Sequence, residues 1–183
     1  SSIATRLVDP DGGNIIGETG LTGELHISGP TVFEGYFEAP EQTADAFTED
    51  GWFRTGDLFQ MAGDGRFLEF VGRSKDLIIR GGVNIAPEEI DQLLAGHPDL
   101  VEACAFAIPD AILGEGVGLA AVPKAGVELD LAGITDFLRE ANVAVFKLPE
   151  KLFIVDALPR NALNKVNRIE VRENALAEIE TES

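Results

Sequence analysis

Cysteine, histidine and basic residues are scarce in this sequence of 183 residues. It holds one cysteine and two histidines, and 14 lysines and arginines stand against 32 aspartates and glutamates, for a formal net charge of −18. One cysteine excludes an internal disulfide and a cysteine-rich zinc site. The two histidines, His26 and His97, lie far apart in the sequence and have no partner at metal-ligand spacing. The sequence therefore predicts no metal site.

The acidic balance and the lack of long apolar runs exclude two further classes. Nucleic-acid binding needs a basic surface that neutralises backbone phosphates, and a chain of charge −18 lacks one. No apolar run approaches the roughly 18 residues that a membrane-spanning helix requires. The start, SSIATRLVDPDGG, lacks the basic stretch followed by an apolar one that is typical of secretion signals. We expect a cytoplasmic protein with no membrane span and no nucleic-acid partner.

The few basic residues are unevenly distributed along the chain. Residues 1–50 hold ten acids and one arginine, whereas residues 147–172 hold three acids and six basic residues: Lys147, Lys151, Arg160, Lys165, Arg168 and Arg172. A confined basic segment attracts small anions to one place. This segment is therefore a candidate anion-binding region.

The hydrophobic pattern changes along the chain and predicts an α+β fold in two parts. Short strands separated by turns, such as GELHISG and RFLEFVG, and one short helix over 39–47 occupy residues 1–74. Strands over 101–108, 116–123 and 151–158 then alternate with helices in APEEIDQLLAG, DLAGITDFLREA and KVNRIEVRENALAEIE. We expect a β-rich subdomain over 1–74, followed by a small α+β domain over 75–183.

Two stretches carry candidate binding residues, and each has two interpretations. GWFRTGDL (51–58) is either an Asp-capped turn between strands or a site where Asp57 accepts hydrogen bonds from vicinal hydroxyls, such as those of a ribose. GRSKDLIIRGGVNIAPEEI (72–90) contains the Gly81–Gly82 pair, which is either an ordinary turn or a hinge beside basic residues. Cys104 lies in an apolar strand with no nearby basic residue, which favours buried packing over nucleophilic chemistry.

Four motifs, taken in order, resemble the C-terminal part of the adenylate-forming enzymes. They are GELHISGPTVFEGYF, DGWFRTGDL, GRSKDLIIRGGVNIAPEEID and LPRNALNK. This superfamily contains acyl-CoA synthetases, luciferases and the adenylation domains of peptide synthetases. The resemblance covers nearly the whole chain, and its details look most like a fatty-acid or aryl-acid CoA ligase. It implies ATP with Mg²⁺ and coenzyme A as co-substrates, and a carboxylic acid as the substrate.

The resemblance also implies roles for individual residues. Asp57 and Arg73 would bind the nucleotide, with Asp57 on the ribose hydroxyls. Lys75 would be the hinge about which the small domain rotates between two half-reactions. Gly81, Gly82, Val83 and Asn84 would line the passage for the pantetheine arm of coenzyme A. Lys165 would be the catalytic lysine of the adenylation step.

Two positions depart from the pattern of the family. Asn164 stands where glycine is usual before the lysine, and Asn167 stands where an apolar residue is common. Asparagine tolerates the left-handed backbone region better than other non-glycine residues, so we expect the loop geometry to survive at Asn164.

The sequence lacks the Ser/Thr/Gly-rich phosphate loop and the acyl pocket that the resemblance implies. GETGLTGE (17–24) is glycine-rich, but it contains no lysine and leads into a strand, so it reads as a turn. We expect a fragment that works with an upstream N-terminal adenylation domain and is inactive by itself. The alternatives are an adenylation domain that loads a carrier protein and a non-catalytic interaction module of the same fold.

Overall fold

The computed structural model of the chain describes residues 2–10, 12–63 and 65–181. The ends of the two expected domains, Ser1 and Ser183, lie outside the described residues. The chain divides into two compact units, Ser1–Lys75 and Asp76–Ser183. The mixed α+β fold class expected from the sequence is confirmed.

The first unit is an antiparallel five-stranded sheet with one short helix. Its strand order is β2-β1-β3-β4-β5, with a bulge where β3 pairs β4 and a second where β4 pairs β5. In chain order its elements are β1 (Ala4–Val8), β2 (Ile15–Ile16), β3 (Thr22–Ser28), α1 (Pro40–Ala46), β4 (Phe53–Ala62) and β5 (Phe67–Arg73).

The second unit is a mixed sheet covered on both faces by helices. Its central strand β9 pairs antiparallel with β8 and parallel with β10. Its elements are β6 (Ile78–Arg80), β7 (Val83–Ile85), α2 (Pro87–Leu94), β8 (Leu100–Asp110), β9 (Gly114–Pro123), α3 (Leu131–Glu140), β10 (Lys151–Ile154) and α4 (Arg168–Thr181). Short 3₁₀ turns cover Ser74–Asp76, at the junction of the two units, and Val145–Lys147.

Alternation along β8 and β9 builds the two cores of the second unit. Ala105 and Leu119 face one side, where they pack with Ile90 of α2 and Ile134 of α3. Phe106 and its neighbours face the other side, where Val171 and Ala175 of α4 cover them. Because successive strand residues point to opposite faces, one apolar pair of strands supplies both cores.

Several sequence interpretations need correction in their bounds. The stretch 51–58 is not a turn between strands, because β4 runs through it from Phe53. The segment around Gly81 contains two short strands that the sequence pattern did not predict. The strand predicted over 151–158 ends at Ile154, and the last helix begins at Arg168 rather than at Lys165. Each error lies where few residues carry the periodic signal.

Candidate functional site

Asp57 and Arg73 lie opposite each other on neighbouring strands of the first unit. Their Cα atoms are register partners between β4 and β5, and Arg73 Nε lies 3.1 Å from Asp57 Oδ1. The carboxylate is mostly buried, with 29% of its side chain exposed, and the guanidinium is half exposed. The structure therefore brings together the two residues for which the resemblance implies nucleotide binding.

A distorted segment of β4 orients the Asp57 carboxylate. Gly56 has φ of 70°, a left-handed conformation that glycine adopts without steric cost. The buried Glu24 carboxylate accepts a hydrogen bond from the Gly56 backbone N–H, and Ser74 Oγ donates to the Gly56 carbonyl. Thr55 Oγ1 accepts from the Asp57 N–H at 3.1 Å. Together with Arg73 on β5, the side chains that support Asp57 thus come from three strands and the turn that follows β5.

The sequence pattern of GELHISG gave no indication that Glu24 supports the backbone next to Asp57. In the structure Glu24 and His26 are buried, whereas Leu25 and Ile27 are only partly buried. Glu24 Oε2 lies 3.4 Å from His26 Nε2 and 3.8 Å from Arg54 Nε. A charged residue at every second strand position is the usual sign of a solvent face, so the sequence pattern did not indicate this role.

Lys165 lies in a braced loop of the second unit, which we call the lysine loop and define as residues 158–167. Asn161 organises its tip, since its Oδ1 accepts from the N–H groups of Leu163 and Lys165, each at 3.0 Å. Asn161 N–H donates to the Lys165 carbonyl at 2.8 Å, and Asn167 N–H donates to the Pro159 carbonyl at 2.8 Å. These contacts hold the backbone of Lys165 in place while its side chain remains exposed.

The two asparagines that depart from the family pattern both have a structural role. Asn164 adopts φ of 60°, the left-handed conformation that asparagine tolerates better than other non-glycine residues. Arg160 Nη1 donates to the Asn164 carbonyl at 3.0 Å. Asn167 directly precedes α4, and its Oδ1 accepts from the Glu170 N–H while its Nδ2 donates to Glu170 Oε2. These two hydrogen bonds satisfy polar groups in the first turn of α4, in the manner of a capping box.

The strain at Asn164 gives the first testable prediction. Changing Asn164 to Gly should leave the loop unchanged. Asn164→Val should lower the free energy of unfolding by roughly 1–2 kcal/mol, because a β-branched residue disfavours positive φ. The free energy of unfolding, measured by urea denaturation, should fall by this amount in the valine variant and stay unchanged in the glycine variant. Ala162→Val, in the same loop but without positive φ, is the matched control. Equal losses of stability in the two valine variants would contradict the prediction.

Most cations of the basic segment 147–172 are paired with carboxylates, so fewer of its charges are available to an anion than the sequence suggests. Lys147 contacts Glu89, Arg160 contacts Glu102, Arg168 contacts Glu88 and Asp91, and Arg172 contacts Glu115. Among the described residues, Lys165 has no carboxylate partner within ion-pair distance. The positive charge available to a ligand in the lysine loop is therefore that of Lys165.

Arg168 lies within a cluster of buried and half-buried charges. Its Nη1 is 2.9 Å from Asp91 Oδ2 and its Nη2 is 3.2 Å from Glu88 Oε1, with Asp76 at 3.9 Å. Burial raises the pKa of Asp91 to about 6, although the charge of Arg168 opposes this shift, and burial likewise raises the pKa of Glu88. The carboxylates keep the guanidinium charged in spite of its own burial.

Cys104 has a basic neighbour that the sequence did not indicate. Arg168 Nη1 lies 3.5 Å from its sulfur, although the two residues are 64 positions apart. Burial nevertheless raises the pKa of the Cys104 thiol to about 12, so the thiol is neutral at pH 7. The expectation that Cys104 is a buried packing residue is confirmed.

Gly81 to Asn84 form the tip of a β-hairpin. Gly81 and Gly82 have φ of 56° and 83° and connect β6 to β7, so this pair is a two-residue hairpin turn. Gly81 N–H donates to the Leu113 carbonyl at 2.8 Å, and Arg80 contacts Glu150. All four residues, 81 to 84, are exposed, and so is Lys75 in the 3₁₀ turn before β6.

Comparison with known proteins accounts for this arrangement of motifs. Residues 89–165 match the model of the AMP-binding enzyme C-terminal domain. The chain is 46% identical over 162 residues to a probable CoA ligase, CCL9, of Humulus lupulus. The aligned residues are 88% of this chain and 30% of that protein. The chain belongs to the adenylate-forming enzymes.

Other members of this superfamily differ in what their names describe. Pyochelin synthase PchD of Pseudomonas aeruginosa is 37% identical over 175 residues, covering 96% of this chain and 31% of that protein. The crystal structure of ATP-bound MatB from Rhodopseudomonas palustris matches with a TM-score of 0.84 and 37% identity, over 95% of this chain and 34% of that one. The chain spans about a third of the length of the relatives it matches.

The match to the family model lies wholly within the second unit and begins after the β6–β7 hairpin. The family model begins within α2 and ends at Lys165. No helix of the described residues is long and apolar enough to cross a membrane.

Proposed function

We propose that this chain is the C-terminal part of an ATP-dependent acyl-CoA synthetase of the fatty-acid or aryl-acid type. The enzyme joins a carboxylic acid to AMP with release of pyrophosphate and then transfers the acyl group to coenzyme A. The observation that carries the proposal is Lys165: an exposed ammonium with no carboxylate partner among the described residues, held on a backbone braced by Asn161 and Arg160.

In the first step Lys165 supplies positive charge. The carboxylate of the acid attacks the α-phosphorus, the bond to the bridging oxygen breaks, and pyrophosphate leaves with the electron pair. Negative charge grows on the phosphate oxygens, and a preplaced ammonium stabilises it without reorganisation of solvent. Asp57 accepts hydrogen bonds from the ribose hydroxyls, and Arg73 holds the Asp57 carboxylate in position.

In the second step the thiolate of coenzyme A attacks the acyl carbon and AMP leaves. We propose that Lys75, in the exposed 3₁₀ turn between the two compact units, is the hinge that exchanges the faces used in the two steps. The hairpin tip, residues 81 to 84, lines the passage for the pantetheine arm, because its glycines let a narrow ligand approach the backbone closely.

The described residues contain no group of three or more His, Cys, Asp and Glu side chains that holds a metal ion. We propose that Mg²⁺ enters bound to the phosphates of ATP, which supply the hard oxygen ligands that it prefers. The phosphate loop and acyl pocket belong to an upstream N-terminal adenylation domain.

An adenylation domain that loads a carrier protein is the second candidate, favoured by the 37% identity to pyochelin synthase PchD. The test is to give the full-length enzyme ATP, Mg²⁺ and a panel of fatty and aryl acids, with coenzyme A or a carrier protein as the acceptor. We expect acyl-CoA, AMP and pyrophosphate in equal amounts.

Two comparisons distinguish the remaining outcomes: coenzyme A against a carrier protein as the acceptor, and the full-length enzyme against the 183-residue chain. Thioester formation on the carrier protein alone would replace the proposal by the second candidate, and no pyrophosphate release with any acid would indicate a non-catalytic module. The 183-residue chain, assayed without the upstream domain, should release no pyrophosphate. Release by this chain would contradict the proposed dependence on that domain.

A further inference from the structure

Arg168 occupies the C-terminal base of the lysine loop and contacts elements distant in sequence. Its side chain is 18% exposed. Within the second unit it reaches Glu88 and Asp91, both on α2, and the Ala105 carbonyl on β8. These partners are 63 to 80 residues away in sequence. One guanidinium thus links the start of α4 to a helix and to a strand.

The contacts of Arg168 also complete the open edge of β8. Among the described strands β8 pairs only with β9, so backbone groups on its other edge need partners. Asp91 Oδ1 accepts from the Ala105 N–H at 2.7 Å, and Arg168 donates to the Ala105 carbonyl. One turn further along α4, Arg172 Nε donates to the Ala107 carbonyl at 3.0 Å. Arg168 and Arg172 therefore make the same kind of edge contact.

Stability alone is a weak reason for such a cluster. Removing charges from water costs several kcal/mol per ion, and well-packed apolar residues often replace a buried ion pair with little or no loss of stability. A guanidinium offers a rigid fork of donors, which fixes direction as well as distance. Arg168 uses this fork on α2 and β8 together, so the cluster specifies a position for the first residue of α4.

That position is passed to Lys165 through a short, braced segment. Arg168 is three residues after Lys165, a separation of at most about 11 Å along the chain. Between them Val166 forms a backbone bridge with Arg160, and Asn167 is bonded to Pro159. Because this segment is short and hydrogen-bonded, a displacement of Arg168 also displaces the lysine loop. Arg172 lies a full turn further into α4 and has no such link.

We propose that Arg168 is a positioning residue for the adenylation step, which holds the lysine loop on α2 and β8 and so sets where the Lys165 ammonium lies. This inference rests on the proposed function of Lys165. The role of Arg168 is exerted through Lys165 and requires no contact with the substrate.

A double-mutant cycle in the full-length enzyme tests this. Arg168→Met should lower the rate of acyl-adenylate formation at saturating ATP by about tenfold or more, with the KM for ATP changed less than threefold. Transfer of preformed acyl-adenylate to coenzyme A should stay within threefold of wild type. In a Lys165→Ala background, Arg168→Met should cause no further loss. Arg172→Met is the matched control and should leave adenylation within threefold.

One further variant and the Lys165→Ala background keep the result decisive. If Arg168→Met fails to fold, as judged by thermal unfolding, Arg168→Lys takes its place in the cycle and should give a smaller loss that also vanishes with Lys165→Ala. Additive losses in the cycle, or equal losses in both half-reactions, would overturn the positioning role while leaving the function of Lys165 intact. If Lys165→Ala does not slow adenylation, the proposed function itself fails.

Discussion

Replacing Lys165 by alanine in the full-length enzyme is expected to lower the rate of acyl-adenylate formation by about 10²- to 10³-fold, the usual cost of removing one preorganised donor at a developing negative charge. Transfer of the acyl group from preformed acyl-adenylate to coenzyme A should change little, because pyrophosphate has already left. The ammonium is exposed and has no carboxylate partner among the described residues, so its removal leaves no buried charge unpaired.

The measurement is the rate of each half-reaction, with purified acyl-adenylate as the starting material for the second. Lys151→Ala is the matched control, since Lys151 is another exposed lysine of the basic segment but lies at the start of β10. It should leave both rates within about twofold. Equal loss of the two half-reactions in the Lys165 variant would contradict an adenylation-specific role.

Replacing Asp57 by alanine should impair both half-reactions, because ATP and the acyl-adenylate carry the same ribose. Hydrogen bonds to a charged group contribute roughly 1.5–3 kcal/mol each. We therefore expect the KM for ATP to rise by about 10- to 100-fold, with weaker binding of acyl-adenylate in the second step. Arg73 also loses its partner at 3.1 Å, which adds to the disturbance of the site.

The control for Asp57 is another carboxylate of the same unit that is paired with arginine. Asp50 contacts Arg6 at 2.6 Å and lies outside the Asp57 site. Asp50→Ala should leave the KM for ATP within about twofold, as measured by pyrophosphate release over a range of ATP concentrations. An increase in KM for Asp57→Ala no larger than that for Asp50→Ala would remove Asp57 from the nucleotide site.

Asp57 and Lys165 could be identified as candidates from the sequence, because each lies in a short contiguous motif. In GWFRTGDL and LPRNALNK the candidate side chain is a close sequence neighbour of the glycine, asparagine or proline residues that shape its backbone. A local sequence pattern therefore contains both. The left-handed conformation of Asn164 could be anticipated in the same way, from the intrinsic preference of asparagine. The α+β class followed from long periodic segments such as β8 and β9.

Short elements were less predictable. The hairpin β6–β7 has three residues in each strand, too few for alternation to be distinguished from chance. The distortion in β4 resembled a turn, because threonine, glycine and aspartate are also the usual turn residues. In both places the fold depends on pairing with a neighbouring strand, which a local pattern does not contain.

The sequence alone was enough to define the class of fold, the candidate residues Asp57, Arg73 and Lys165, and the resemblance to adenylate-forming enzymes. It did not indicate the hydrogen bond between Glu24 and the Gly56 backbone or the contact between Arg168 and Asp91. Those contacts join residues 32 and 77 positions apart. Ion pairs and hydrogen bonds of that kind form only when packing of the sheets and helices brings the partners together, so no spacing in the chain reveals them.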